Sequence, residues 1–147
     1  MKTILFVCTE NTCRSPMAKA LFDRKTDFAY RTDSAGLSAK SGSPASNGAT
    51  ASMNELGLNI ASHKSKRFSA AMMGDIALVV PMTPTHAYIL LQYGVPADKI
   101  FVLGEQEGIF DPYGGGLAEY LDCAGTIDKA LDDLQAMLTN GLSSYGA

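Results

Sequence analysis

The chain has only three cysteines, at positions 8, 13 and 123, an odd number at irregular spacing. That excludes a disulfide framework and offers no zinc-ligand pattern. There is no excess of positive charge either: 12 Lys and Arg stand against 15 Asp and Glu, a net charge of -3. A mildly acidic balance argues against nucleic acid or an anionic membrane as the main partner. Long apolar runs are missing, and none approaches the length of a membrane span. Met1-Lys2-Thr3 and the short apolar run after it end in Thr9-Glu10-Asn11, not in small residues before a cleavage site, so no secretory signal is expected. No repeat, low-complexity tract or linker divides the 147 residues, so one domain spanning 1–147 is expected. The expected location is the cytoplasm, with Cys8 and Cys13 as free thiols.

What is present is concentrated near the start, in Cys8-Thr9-Glu10-Asn11-Thr12-Cys13-Arg14-Ser15-Pro16. The run Ile4-Leu5-Phe6-Val7 before it suits a buried strand, and from Pro16 to about Phe28 the apolar positions Met17, Ala18, Ala20 and Leu21, with Phe28 beyond, suit a helix packed on a sheet. Strand, short polar loop and helix is the arrangement that aims free backbone N–H groups at an anion. Ser15 as N-cap with Pro16 at the first helical position would mark the helix start. A thiol stands at one end of the loop and a guanidinium at the other. A thiolate needs positive surroundings at neutral pH, and the loop amides, helix N-terminus and Arg14 would supply them. The same donors would hold phosphate oxygens and stabilise the charge that spreads over them during transfer. The bland alternative is a buried Cys8 ending a strand and an Arg14 on the surface.

Further along, Arg31 to Gly36 reads as a second strand, Ser38 to Gly48 as surface loop, and about Thr50–Leu56 as a helix stopped by Gly57. Ser69 is expected to cap a helical piece to Met73. Asp75 to Val80 is a clear apolar strand. Thr83-Pro84 then opens a helix carrying Ala87, Leu90 and Leu91 inward and closed by Gly94. Ile100 to Leu103 is expected as a fourth short strand. A last helix is expected from about Leu117 to Leu138, with Leu117, Tyr120, Leu121, Ala124, Ile127, Leu131, Leu134 and Leu138 on one stripe. The alternation indicates an α/β sandwich on a parallel sheet, with ligands outside the carboxyl ends of the strands.

Three marks in order, Val7-Cys8-x-x-Asn11-x-Cys13-Arg14-Ser15-Pro16, then Ser34-Ala35-Gly36, then Asp111-Pro112, resemble the low-molecular-weight protein tyrosine phosphatase family along the length of the chain. The resemblance implies a three-layer sandwich: a four-stranded parallel sheet in the order 2-1-3-4, helices on both faces, and a phosphate-binding loop after strand one. It implies a hydrolase acting on phosphorylated proteins without cofactor or metal, releasing inorganic phosphate, and a monomer. Cys8 matches the nucleophile that forms a phosphocysteine, and Arg14 the fork that binds phosphoryl oxygens. Asp111 matches the acid that protonates the leaving group and then, as base, activates water. Thr9, Glu10, Asn11, Thr12, Cys13 and Ser15 match the rest of the phosphate-binding loop, Asn11 and Ser15 fixing its shape and the thiolate. Ser34 and His63 look like the shell behind it. The bland alternative for Asp111 is a turn residue before proline, against which the Pro112-x-Gly-Gly context and the need for an acid near the thiol favour the catalytic role; a His in a polar loop is ordinarily just solvated. Cys13 resembles the family's backup thiol, which forms a reversible disulfide with the nucleophile; a buried inert thiol is the alternative. Cys123 is expected only to pack.

Within the family, Thr12 together with Asp111-Pro112-Tyr113-Gly114-Gly115 resembles the bacterial protein-arginine-phosphatase branch, so Thr12 and Tyr113 are expected to set specificity. A Thr hydroxyl suits a polar guanidinium, where an aliphatic residue favours an aromatic ring. A phosphotyrosine-specific member is the alternative. Glu10 departs from the glycine usual at its position. It would strain the loop if that position needs a positive φ; otherwise its carboxylate would repel phosphate and attract a cationic substrate. A thioredoxin-coupled arsenate reductase would need a further cysteine pair in mid-chain, and residues 70–100 hold none. A phosphocarrier module would need neither Arg14 nor Asp111, and a plain phosphate-binding domain would survive replacement of Asp111 unchanged.

Overall fold

The computed structural model describes residues 2–140. Met1 and residues 141–147, the ends of the expected 1–147 domain, lie outside the described residues. The elements alternate: β1 (Thr3–Cys8), α1 (Arg14–Lys25), β2 (Arg31–Gly36), α2 (Asn47–Glu55), β3 (Ile76–Pro81), α3 (Pro84–Gln92) and α4 (Leu117–Asn140). Short 3₁₀ turns lie at Ala70–Asp75 and Ala97–Lys99. The strands form a parallel sheet in the order β2-β1-β3, pairing Phe6 with Ser34 on one side and with Val80 on the other. No described helix is long and apolar enough to cross a membrane.

β1 is buried along its whole length because the sheet is covered on both faces. Ile4, Phe6 and Cys8 face one layer with Met17, Leu21 and Phe22 of α1, Met53 of α2 and the stripe Tyr120–Leu138 of α4. Leu5 and Val7 face the other, with Phe68, Leu90 of α3 and Val95. Phe6 and Phe22 meet edge to face at 5.7 Å between ring centres. Each such fully buried side chain contributes about 1.5–3 kcal/mol. Alternation along β1 therefore locks its register and sets Cys8 at the sheet's carboxyl edge.

The sheet has three strands, not the expected four. Ile100 makes one bridge to Val79, and Phe101 and Leu103 donate to the carbonyls of Val79 and Pro81. The segment thus lies outside β3, where a fourth strand was expected. A 3₁₀ turn feeds it, and Gly104, at φ +78°, turns it away before a ladder builds.

Several helix expectations also need correction. α1 starts at Arg14, with Cys13 at the cap position and no side-chain cap. Ser15 is not the N-cap: its hydroxyl is spent on Cys8 and Asn11. α1 ends at Lys25, and Phe28 beyond it is 74% exposed. α2 begins earlier than expected, where Ser46 accepts from the Ala49 amide. Ser69 leads into a 3₁₀ turn without a side-chain cap bond. Thr83 does cap α3, taking the His86 amide at 3.1 Å. The buried positions of α3 are His86 and Leu90, four apart and therefore on one face. Leu91 lies about 100° further round, and is 45% exposed. Leu117, in the first turn of α4, is exposed as well.

Candidate active site

The loop between β1 and α1 is held from outside. Leu37 donates to the Cys8 carbonyl at 3.0 Å, Ser38 to Thr9 at 2.8 Å and Ser46 to Thr12 at 2.8 Å. His63 Nε2 meets the Asn11 carbonyl at 2.6 Å. With the carbonyls of residues 8, 9, 11 and 12 engaged, the N–H groups of residues 10–13 have no protein acceptor among the described residues. A row of free amides leading into a helix N-terminus is an anion cradle.

Gly36 is what lets β2 approach this loop. A Cβ there would lie 2.7 Å from the Thr9 oxygen and 2.8 Å from the Asn11 nitrogen, both backbone. The strained position in the loop is Asn11, at φ +61°, a region Asn tolerates better than most residues. Its buried side chain is fully engaged, Nδ2 donating to Ser15 Oγ at 2.8 Å and to Ser34 Oγ at 2.9 Å, and Oδ1 accepting from the Lys66 amide at 2.9 Å. Ser15 Oγ lies 2.9 Å from Cys8 Sγ. Because Asn11 donates to Ser15, the Ser15 proton is free for the sulfur. Glu10 has no positive φ, so the loop bears no strain there.

Cys8, Thr9, Glu10, Thr12, Cys13, Arg14, Asp111 and Tyr113 line one small cleft of about 100 Å³. The loop and the Asp111-Pro112 segment, about a hundred residues apart in sequence, thus share one mouth. Buried Arg14 donates through Nη1 to the Ile109 carbonyl at 2.9 Å, and its Nη2 lies 3.4 Å from Thr9 Oγ1 and 3.7 Å from Asp111 Oδ2. Asp111 is half-exposed (53%), its other oxygen taking the Tyr113 amide at 3.1 Å. Tyr113 is 73% exposed at the rim. A thiol in the floor, a fixed guanidinium beside it and a solvent-reached carboxylate above can together do nucleophilic phosphoryl transfer with acid–base help.

Three groups near the cleft have no signature in the sequence. Cys13 Sγ meets Ser46 Oγ at 3.2 Å and Tyr120 Oη at 3.3 Å. Burial, then the contact with Cys13, pushes the Tyr120 phenol up to about 12, so it stays protonated. His86 meets Thr9 Oγ1 through Nε2 at 2.9 Å. Only the capping pattern at Thr83, which puts residue 86 in the first turn of α3, hinted at its place. Cys123 is buried against the Phe110 carbonyl, and burial pushes its thiol up to about 12.

Both histidines of the chain are held below their ordinary range. Burial is the main cause in each; the Arg14 charge adds to it at His86, bringing that ring down to about 4. The unfolded chain takes up the His86 proton near pH 6.5, the folded protein only near 4. Stability is therefore full above about 6.5 and falls as pH falls, by about 2–3 kcal/mol on reaching pH 4. Urea unfolding at pH 7 and pH 5 should show this slope, and His86→Gln should flatten most of it; an unchanged slope would contradict the neutral buried ring.

A strand-to-helix loop of this form, at the carboxyl edge of a parallel sheet, is where phosphate-handling α/β enzymes hold their ligand. Residues 3–143 match the model of the low molecular weight phosphotyrosine protein phosphatase family, and the chain belongs to that family of hydrolases, which act on phosphorylated proteins and release phosphate. It is 35% identical over 141 residues to a protein-arginine-phosphatase of Geobacillus stearothermophilus, covering 92% of this chain and 95% of that protein. It is 33% identical over 135 residues to a probable low molecular weight protein-tyrosine-phosphatase, EpsP, of Ralstonia nicotianae, covering 90% and 92%. The fold is similar to that of a YwlE arginine phosphatase mutant solved with a phosphorylated active site serine: TM-score 0.85 at 32% identity, covering 93% of this chain and 95% of that one.

Proposed function

We propose that the chain is a protein-arginine phosphatase, a single cytoplasmic domain acting as a monomer through a phosphocysteine on Cys8. The observation that carries the reading is the composition of the one cleft: a thiol, a buried guanidinium and a half-exposed carboxylate, with Thr12 in the wall. Cys8 Sγ attacks phosphorus while the P–N bond breaks, and Asp111 gives its proton to the departing guanidino nitrogen. The loop amides and Arg14 hold the three equatorial oxygens. Asp111, now a carboxylate, takes a proton from water. The water oxygen attacks phosphorus, the P–S bond breaks, and inorganic phosphate leaves a regenerated thiolate stabilised by the Ser15 hydroxyl. Asn11, Ser34 and His63 keep the loop in shape for both steps. The phosphorylated active site serine of the YwlE mutant supports a phosphoenzyme of this kind. After peroxide-type oxidation of Cys8 to a sulfenic acid, Cys13 in the same cleft would attack it, release water and form a reducible disulfide.

Phosphoarginine is favoured over phosphotyrosine by polarity. The mouth offers the Thr12 hydroxyl, the Glu10 carboxylate, the Asp111 carboxyl and one exposed aromatic, Tyr113. Those groups suit a guanidinium better than a phenyl ring, and similarity to a protein-arginine-phosphatase agrees. The test is kcat/KM on phosphoarginine and on a phosphotyrosine peptide, side by side under reducing conditions. A preference for phosphoarginine is expected; a preference for phosphotyrosine would keep the mechanism and overturn the substrate.

Two substitutions sharpen the assignment. Thr12→Ile should move the ratio of the two kcat/KM values toward phosphotyrosine by about tenfold, one hydrogen bond traded for apolar contact. A ratio that stays put would remove Thr12 as selector. Glu10→Gly should lower KM for a small aryl phosphate by about two- to fivefold, as one solvent-screened like charge is removed. An unchanged KM would sink the electrostatic role of Glu10.

A further inference from the structure

His86 is buried, 6% exposed, behind the cleft rather than in its lining. The N-cap of α3 sets its backbone, with Thr83 Oγ1 accepting the His86 amide at 3.1 Å. From there the ring reaches across to the loop, Nε2 lying 2.9 Å from Thr9 Oγ1. Arg14 Nη2 approaches the same hydroxyl at 3.4 Å. The other ring nitrogen, Nδ1, is buried without a partner among the described residues. We propose that His86 is a positioning residue: through the Thr9 hydroxyl it sets the Arg14 guanidinium, and the first residue of the loop, for phosphate binding and transfer. The inference rests on the phosphatase reading of the site.

Thr9 has one O–H to give and two lone pairs, and it rotates unless partners fix it. Arg14 donates into one lone pair. His86 Nε2 either donates into the second or accepts the hydroxyl proton, and both arrangements stop the rotation. Arg14 needs such an anchor. Its Nη1 is tied to the Ile109 carbonyl, but on the Nη2 side the Asp111 carboxylate lies 3.7 Å away and is half-exposed, which leaves the Thr9 hydroxyl as the buried anchor. A guanidinium free to tilt would lose the fork geometry that phosphoryl oxygens demand. A ring present only to fill space would bring no polar atom across to the loop. The charged groups facing His86 are Arg14 and Asp111; burial and the Arg14 charge keep the imidazole neutral at working pH, so it adds no charge beside the guanidinium.

The experiment compares wild type with His86→Gln, His86→Asn and His86→Leu, each with and without Thr9→Val. It reads kcat/KM on phosphoarginine and an aryl phosphate, and the inhibition constant of inorganic phosphate. A Gln amide nitrogen overlays Nε2 and an Asn nitrogen overlays Nδ1, so only Gln can reach Thr9. His86→Gln should stay within about threefold of wild type, while His86→Asn and His86→Leu lose roughly three- to tenfold in kcat/KM and phosphate affinity, the weight of one neutral hydrogen bond. In the Thr9→Val background His86→Leu should cost less than about twofold more, because the shared bond is already gone. Equal losses in Gln and Asn, or full additivity with Thr9→Val, would overturn the proposal. Should His86→Leu fail to fold, the Gln–Asn pair decides alone. Should the wild type cleave neither substrate, the phosphatase reading fails, and calorimetric phosphate titration of the same variants still decides the positioning.

Discussion

Cys8→Ser should bind inorganic phosphate with affinity similar to that of the wild type and yet turn over aryl phosphate or phosphoarginine slower by roughly 10⁴-fold or more. The two halves of this result have separate causes. Binding comes from the free amides of residues 10–13 and the anchored Arg14, none of which touches the sulfur's identity. Turnover needs a nucleophile that ionises readily and leaves readily in the second step; a serine hydroxyl ionises far less easily than a thiol, and a phosphoserine ester would hydrolyse far more slowly than a phosphocysteine. Calorimetric phosphate titration and a long-time product assay check it. Turnover within tenfold of wild type would exclude Cys8 as the nucleophile.

Asp111→Asn should leave phosphate affinity nearly unchanged, or slightly improved as a negative charge leaves the mouth, while kcat on phosphoarginine falls by roughly 10²–10⁴-fold. The guanidino nitrogen is a poor leaving group without a proton, so its loss should exceed that of an aryl phosphate whose oxygen leaves easily. The same carboxylate serves the second step, so with such an aryl phosphate the phosphoenzyme should outlast its formation. A kcat within about threefold of wild type on both substrates would mean that Asp111 acts as a turn residue, bonded to the Tyr113 amide, and not as the acid and base.

The parts of the fold legible in the sequence were those governed by local rules. The apolar run of β1, the second strand at Arg31–Gly36 and the Thr83-Pro84 cap of α3 agree with the structure. The loop and its partner Asp111-Pro112 could be brought together only through resemblance to a family, since nothing local joins residues 14 and 111. Where tertiary contacts outrank local preference, the reading slipped. Ser15 has an N-cap composition, but the sulfur and Asn11 claim its hydroxyl. Ile100–Leu103 has strand composition, but its ladder is too short once Gly104 turns the chain. His86, Ser46 and Tyr120 were invisible for the same reason: their partners Thr9 and Cys13 are 77, 33 and 107 residues away. Only the folded sheet makes them neighbours.

The central claim is a covalent phosphoryl group on Cys8. It is tested most directly by acid-quenching the Asp111→Asn variant during turnover of an aryl phosphate with a good leaving group, then locating any phosphoryl group by peptide mass spectrometry. A phosphoryl group on the peptide bearing Cys8, absent from a Cys8→Ala, Asp111→Asn control, is the predicted result. Product release with no phosphoenzyme at any quench time, or a phosphoryl group on another residue, would contradict it.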